Sequence, residues 1–386
     1  MIHSLKIENF RSLEDFQVTK LGRVNLIVGK NNSGKSSVLE ALRIYAGNAN
    51  HELLEAIAQG HDEKYFLANE DPDTFNKALP FEDLFTGRKF TEDNRSIVIG
   101  EIENISKNLE IKHVFLIEKE ITVTDDAGEE SIRIRRIPID KHSLSGESEV
   151  VGEALLVSKE QKLLLIDFDR TRDRSRFRPT LFDIKKLACS LIPTQFISMD
   201  ELAKEWDAIA LTEGEDIVKD ALRIILPEVE DLTFVVIDKL NNFRNTRDVY
   251  RLAKVKISGL SHPVPLASLG DGMLRILQLV LKLFSAKGGF LLIDEFENGL
   301  HYSVQEKVWS LLFELSEKLD IQIFATTHSW DCIESFAKVA MAKKDIDSVL
   351  FRVGKSVRTS DKGRVISTVF DQDQLYSITQ SDVEVR

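Results

Sequence analysis

Residues 24–40 read VNLIVGKNNSGKSSVLE, and the fold turns on how this stretch is read. Val24, Leu26, Ile27 and Val28 form a short apolar run of the kind found in a strand whose sheet is buried on both faces. Ser37, Val38, Leu39, Glu40, Ala41 and Leu42 resume as a helix. Between them Gly29, four residues, Gly34, Lys35 and Ser36 follow the spacing G-x-x-x-x-G-K-[ST]. Glycines at these positions let backbone N–H groups converge on phosphate oxygens, the lysine meets the outer phosphates, and the hydroxyl after it ligates magnesium. The helix N-terminus adds the positive end of its dipole. Gly29, Asn31, Asn32, Ser33, Gly34, Lys35, Ser36 and Ser37 are therefore expected to cradle a nucleoside triphosphate, ATP, with Mg2+.

The composition suits such a site. A chain of 386 residues, 43% hydrophobic and 30% charged, buries a substantial core as one large domain or two lobes. No apolar run approaches the roughly 18–20 residues that span a bilayer. Met1 leads at once into MIHSLKIENF, which alternates like a strand, so a cytoplasmic protein with no membrane partner is expected. Cys189 and Cys332 are too few and too far apart for a disulfide framework or a clustered metal site. The net charge of -12 argues against nonspecific wrapping of nucleic acid, while a local basic groove stays open.

Two further strands carry chemistry at their ends. In GGFLLIDEFENGLH (288–301), Phe290 to Ile293 read as a buried strand ending in Asp294 and Glu295. At the C-terminal edge of a parallel sheet, Asp294 holds the magnesium shell and Glu295 polarises an attacking water. In IQIFATTHSWDCI (321–333), a strand ends in Thr326, Thr327, His328 and Ser329, and His328 is placed to contact the terminal phosphate. The intervening segment sets Val304, Val308, Leu311, Leu312, Leu315 and Leu319 on one helical face, which covers the sheet and is core. Upstream, LASLGDGMLRILQLVLKLF (266–284) offers Gly270, Asp271 and Gly272 at an exposed helix start.

IENFRSL, GKNNSGKSS, SLGDGMLR, LLIDEFENGLH and ATTHS, in that order, resemble the ATPase module shared by the RecF, SMC and OLD (overcoming lysogenization defect) ATPases, nearest to the OLD-like, AAA15-type group. The resemblance covers about the first 45 residues and the chain from about Ser268 to Trp330. It implies an α/β fold, a P-loop NTPase of ABC type with a β-rich nucleotide lobe and a helical insertion, and slow hydrolysis of ATP with Lys35, Glu295 and His328 as catalytic residues. It also implies a head-to-tail homodimer or higher oligomer in which Gly270, Asp271 and Gly272 reach the nucleotide of the partner. The family's signature is Leu-Ser-Gly-Gly-Gln; aligning Leu269 to Met273 with it puts Gly270 where serine is usual. By the same resemblance Arg11 approaches the nucleotide, and Asn298 and Gly299 meet the partner protomer. The family's glutamine loop has Gln59 and Gln161 as its candidates.

The chain is expected to divide into residues 1–50 and 246–386, the two parts of the ATPase core, and 51–245, an inserted lobe. That lobe reads first as strands (RSIVIGEIENI, KHVFLIEKEITV) and then as helices (ELAKEWDAIAL, and GEDIVKDALRIILPEV stopped by Pro227). Five arginines at every second position from Arg170 to Arg178 suit either a phosphate-tracking groove or a self-paired surface loop with Asp167, Asp169 and Asp173. Asp371 and Asp373 in DQD read as a solvated loop. No stretch sustains the heptads of SMC arms, and too few residues follow His328 for a TOPRIM nuclease domain. Any nuclease chemistry is then expected from a separate effector, a TOPRIM or HNH protein. The function expected is control of that effector in anti-phage defence. The alternatives are a RecF-like repair ATPase that binds DNA directly and a nucleotide-held scaffold with negligible turnover.

Overall fold

The computed structural model describes residues 1–61, 63, 81–90, 93–124, 130–144, 149–168, 186–241, 246–361, 363–372, 374 and 375. The arginines from Arg170 to Arg178, with Asp169, Asp173 and Asp373, lie outside the described residues. In chain order the elements begin β1 (Leu5–Phe10), β2 (Leu13–Val18), β3 (Val24–Val28), α1 (Lys35–Ala46) and α2 (His51–Gly60). Next come β4 (Ile97–Gly100), β5 (Leu109–Thr124), β6 (Glu130–Ile139), β7 (Val150–Lys159), β8 (Lys162–Asp167) and β9 (Cys189–Ile192). Then follow α3 (Met199–Ile209), α4 (Glu213–Arg223), β10 (Val229–Asn241), β11 (Thr246–Ile257), β12 (Val264–Pro265) and α5 (Asp271–Ser285). The chain finishes with β13 (Phe290–Ile293), α6 (Tyr302–Lys318), β14 (Gln322–Thr327), α7 (Trp330–Ala342), β15 (Ser348–Lys355) and β16 (Val365–Phe370).

The central sheet has the order β16-β15-β3-β14-β13-β9. All neighbours from β15 to β9 run parallel, and β16 is antiparallel at the edge. Side chains alternate between its two faces. Val24, Leu26, Val28, Leu291, Ile293 and Ile323 join the core formed with α3 to α7, while Ile27, Phe290, Leu292 and Phe324 join the core shared with α1 and a second sheet. That second sheet is antiparallel, of order β2-β1-β4-β5-β7-β8 with β6 on β5, and packs Ile7, Ile99 and Ile111 toward α1. A third sheet, β10-β11-β12, is a long hairpin extended by one short strand and packs Phe234 against Trp206 of α3.

Helix ends are closed by local chemistry. Ser198, Thr212 and His301 cap α3, α4 and α6 by accepting the N–H groups of Glu201, Gly214 and Ser303. The C-terminus of α1 is held from β7, where Lys159 Nζ donates to the Tyr45 carbonyl and to Asn48 Oδ1, each at 3.0 Å. Burial pulls the Lys159 pKa down to about 8.

Two features depart from the sequence reading. The segment expected to be one inserted lobe is not separate from the core, because residues 189–192 return as β9 and pair with β13 in the central sheet. The β-rich lobe is likewise built jointly, with β1 and β2 from the first fifty residues pairing with each other and β1 with β4. β1 and β2 form a local hairpin, whereas the β1–β4 and β9–β13 pairings are long-range in sequence and no local pattern encodes them.

Trp309 of α6 is fully buried, with its ring stacked on Phe296 at 3.8 Å and edge-on to Phe336 at 5.1 Å. Trp309→Ala is expected to lower unfolding stability by about 3–5 kcal/mol, seen as a lower urea midpoint with an unchanged slope.

Candidate functional site

The P-loop leaves β3 and enters α1 through backbone that few side chains tolerate. Gly29 has φ 151°, Asn32 has φ 59° and Gly34 has φ 105°. A Cβ on Gly29 would lie 2.3 Å from the Val353 carbonyl oxygen of β15, so strand packing forbids a side chain there. Gly34 is the N-cap of α1 and offers no side-chain cap, which leaves the leading N–H groups of the helix for an anion. Lys35 is buried, and its Nζ donates to the carbonyls of Gly29 (2.8 Å) and Lys30 (3.0 Å). Burial lowers its pKa, against the pull of Asp294, Glu295 and Glu297, whose charges reach it across the sheet edge. Asn31, Asn32 and Ser36 are exposed, Ser37 is half-buried, and Ser33 Oγ is buried with no hydrogen-bond partner.

Asp294 and Glu295 follow β13. Asp294 Oδ1 accepts from Thr326 Oγ1 at 2.7 Å and Oδ2 from Thr194 Oγ1 at 3.3 Å. Glu295 has a left-handed backbone, φ 48°, and its N–H donates to Thr326 Oγ1 at 2.9 Å. His328, half exposed, sits with Nδ1 3.2 Å from Glu297 Oε1 and 3.7 Å from Glu295 Oε1, and its N–H donates to Glu297. The structure thus gathers Lys35, Asp294, Glu295 and His328 at one edge. Ser36 and Asp294 supply one hydroxyl and one carboxylate, a donor set that fits a magnesium ion completed by waters and phosphate oxygens. Among the described residues no group of three or more His, Cys, Asp or Glu forms a self-contained metal cage.

Gly270, Asp271 and Gly272 lie elsewhere. The atoms nearest the glycines of the P-loop come from Ser12, Leu13, Ser33 and Val353, whereas residues 271 and 272 pack against Gly299. The expectation that Gly272 stands at a freely exposed helix start is corrected. A Cβ there would meet Ile225 Cδ1 at 3.0 Å and the Gly299 carbonyl oxygen at 3.1 Å, so a bulky residue would disturb its own chain. Gly270 has φ 96° with open space around it, and Asp271 is exposed. Arg11 is also placed differently from a free phosphate ligand. Its guanidinium forms ion pairs with Glu40 (2.9 Å) and Glu63 (2.8 Å), in a turn where Ser12 faces Gly34.

Sequence reasoning missed three residues. Thr194 and the exposed Gln195 follow β9 directly at the same sheet edge, next to Asp294. Gln59 is instead on α2, and Gln161 occupies the turn between β7 and β8. The signal was present in LIPTQ, but a four-residue strand is too short to announce itself. The third is Arg275 of α5. Nearly fully buried, it donates to the carbonyls of Pro193 (2.9 Å), Asp294 (2.8 Å) and Glu295 (2.8 Å). Burial lowers its pKa to about 10, opposed by Asp294, Glu297 and Glu295.

A P-loop, an acid pair after a second strand, a histidine after a third and a glycine-led helix beside the turn at Asn298 and Gly299 define an ABC-type ATPase domain of the RecF and SMC kind. Over residues 24–331 the chain matches the family described as "AAA domain, putative AbiEii toxin, Type IV TA system", and it belongs to that family. It is 24% identical over 356 residues, 89% of each chain, to the ATP/GTP phosphatase of Helicobacter pylori. It is 30% identical over 122 residues, 30% of this chain and 13% of the other, to the DNA double-strand break repair Rad50 ATPase of Archaeoglobus fulgidus. Among solved structures, the Smc head domain with an extended coiled coil, bound to the C-terminal domain of ScpA from Pyrococcus furiosus, is 12% identical, with 99% of both chains covered and a TM-score of 0.47. No helix among the described residues is long and apolar enough to cross a membrane.

Lys35→Ala is expected to weaken ATP binding by roughly ten- to a hundredfold while leaving adenosine nearly unaffected, because one charge-assisted contact to the outer phosphates is lost. Calorimetry with both ligands measures the difference. Since burial holds the lysine below its ordinary value, ATP affinity of the unaltered protein should fall as the pH rises toward 10.5, and the variant should lack that dependence.

Proposed function

We propose that this protein is a slow ATPase of the ABC type that closes into a head-to-tail homodimer on ATP and thereby controls a separate effector, in defence against phage. The observation that carries the reading is the meeting of Lys35, Asp294, Glu295 and His328 at one edge of the parallel sheet, with the glycines of α5 displaced to Gly299. Lys35 and the start of α1 bind the phosphates. Glu295 takes a proton from the water that attacks the terminal phosphorus, giving ADP and phosphate. His328 steadies the Glu295 and Glu297 carboxylates. Magnesium, held by Ser36 and Asp294, would neutralise charge on the phosphates. Glycines at the start of α5 suit contact with a nucleotide on the partner, as the resemblance to OLD-like ATPases implies. The name of the Helicobacter pylori relative supports nucleotide hydrolysis. A TOPRIM or HNH nuclease is the effector class we favour, in the cytoplasm.

A second reading, a repair ATPase that binds DNA directly, is favoured by the similarity to the Rad50 ATPase. A scaffold that only holds nucleotide is the third.

Glu295→Gln should lower the rate of phosphate release by about a hundredfold or more with ATP affinity kept, because a general base is lost and binding groups are not. Equal turnover would favour the scaffold. The shared site has its own test at the exposed Asp271, because a side chain at Gly272 would crowd Ile225 and Gly299. Asp271→Trp and Lys35→Ala should each be inactive alone. Mixed in equal amounts with free exchange, they should restore about a quarter of wild-type sites, since half the dimers are mixed and each has one intact site. Activity of Asp271→Trp alone at the wild-type level would remove the composite site.

A further inference from the structure

Glu295 is held in its left-handed conformation from both sides of the peptide. Its N–H donates to Thr326 Oγ1 at 2.9 Å, and the same hydroxyl donates to Asp294 Oδ1 at 2.7 Å. Its carbonyl accepts from Arg275 at 2.8 Å and from the Asn298 N–H at 3.0 Å. The N–H of Phe296 donates to the Thr326 carbonyl at 3.0 Å, and its buried ring rests on Trp309. Thr326 is fully buried, so its hydroxyl makes these two bonds away from competing water. A glutamate does not adopt φ 48° unless its surroundings compel it. Here the compulsion comes from two side chains that do not line the phosphate cradle.

We propose that Thr326 and Arg275 are positioning residues for Glu295. Thr326 fixes the amide and Arg275 the carbonyl, which together turn the carboxylate to the sheet edge, 3.7 Å from His328 Nδ1 and partly exposed to incoming water. The proposal rests on Glu295 as the proton acceptor. It assigns no contact with nucleotide to either positioning residue; because Thr326 also holds Asp294, the magnesium ligand of this reading, ATP affinity is compared without magnesium and turnover at saturating magnesium.

Steady-state hydrolysis and ATP calorimetry on the full chain test it. Thr326→Val, nearly isosteric, is expected to lower kcat at saturating magnesium by about thirtyfold or more with the dissociation constant for magnesium-free ATP within about threefold, as for a displaced catalytic group. Thr326→Ser keeps the hydroxyl and should recover most of the rate. Arg275→Lys keeps the charge but loses the fork, and should behave as Thr326→Val does. In a Glu295→Gln background, Thr326→Val should add less than about threefold, because both changes act through one group. Wild-type kcat in Thr326→Val or Arg275→Lys, full multiplicative loss in the double variant, or a Thr326→Ser as slow as Thr326→Val would each overturn the proposal. Should Thr326→Val not fold, the serine and lysine variants decide alone. If Glu295→Gln itself turns over normally, the reading of Glu295 fails first; if Glu295→Gln is inactive and the Thr326 and Arg275 variants are not, only the positioning role fails.

Discussion

A parallel sheet has no face that water tolerates, and the rest of this molecule follows from covering both. Every residue of β3 is buried, and β13 and β14 are buried from end to end. Helices α3 to α7 cover one face, while α1 and the antiparallel sheet cover the other. A polar group inside this sandwich costs least when it is fully partnered. Asn25 is, with its side chain bonded to Gly22 at both ends and to the Ile323 carbonyl. Side chains that must meet a solvated ligand are left the C-terminal edge. There the P-loop, Asp294, Glu295, His328 and Gln195 accumulate from four strands far apart in sequence.

That edge is also where the chain departs from easy backbone. Left-handed conformations cost a non-glycine residue about 1–2 kcal/mol, and Asn32 and Glu295 both adopt them. At Glu295 the cost is offset by the stacked Phe296 and Trp309, by Thr326 and by the arginine fork. Charge is concentrated in the same place. Lys35 takes the carbonyls of its own loop as partners, while the charges of Asp294, Glu295 and Glu297 act on it. Triphosphate oxygens offer Lys35 stronger acceptors than peptide carbonyls do.

Much of this was legible because it is local. VNLIVGKNNSGKSS spells strand, turn and helix within fourteen residues, and FLLIDE and IFATTH each place chemistry directly after an apolar run. What escaped is what depends on distant chain. Residues 189–192 become a core strand only because β13 is there to pair with, and Gln195 gains its place by the same pairing. Arg11 reads as a free cation until α1 brings Glu40 beside it and Glu63 closes over it. Gly272 looks open in SLGDG, yet Ile225 and Gly299 arrive from other elements to enclose it. The β10–β11 hairpin pairs Val229–Asn241 with Thr246–Ile257 directly after the helices, where the sequence shows a helical segment stopped by Pro227 and no turn motif announces the strands. Arg275 sits inside an apolar helix, where a lone cation shows its purpose only once three carbonyls converge on it.

The helix that presents the glycines and the loop that presents Glu295 are not independent parts. Gly272 backs onto the Gly299 carbonyl so closely that a Cβ would lie 3.1 Å from its oxygen, and Arg275, one turn later on α5, grips the carbonyls of Asp294 and Glu295. The side chain of Asn298, in the same turn as Gly299, donates to the Thr194 carbonyl, which joins the end of β9 to this unit. The planar guanidinium ties three carbonyls of two loops to one helix. The start of α5 is therefore bonded through Arg275 to the backbone of Glu295 and to Pro193, two residues before Gln195. The buried arginine thus joins the helix that carries the glycines to the edge of the sheet that carries the acid pair.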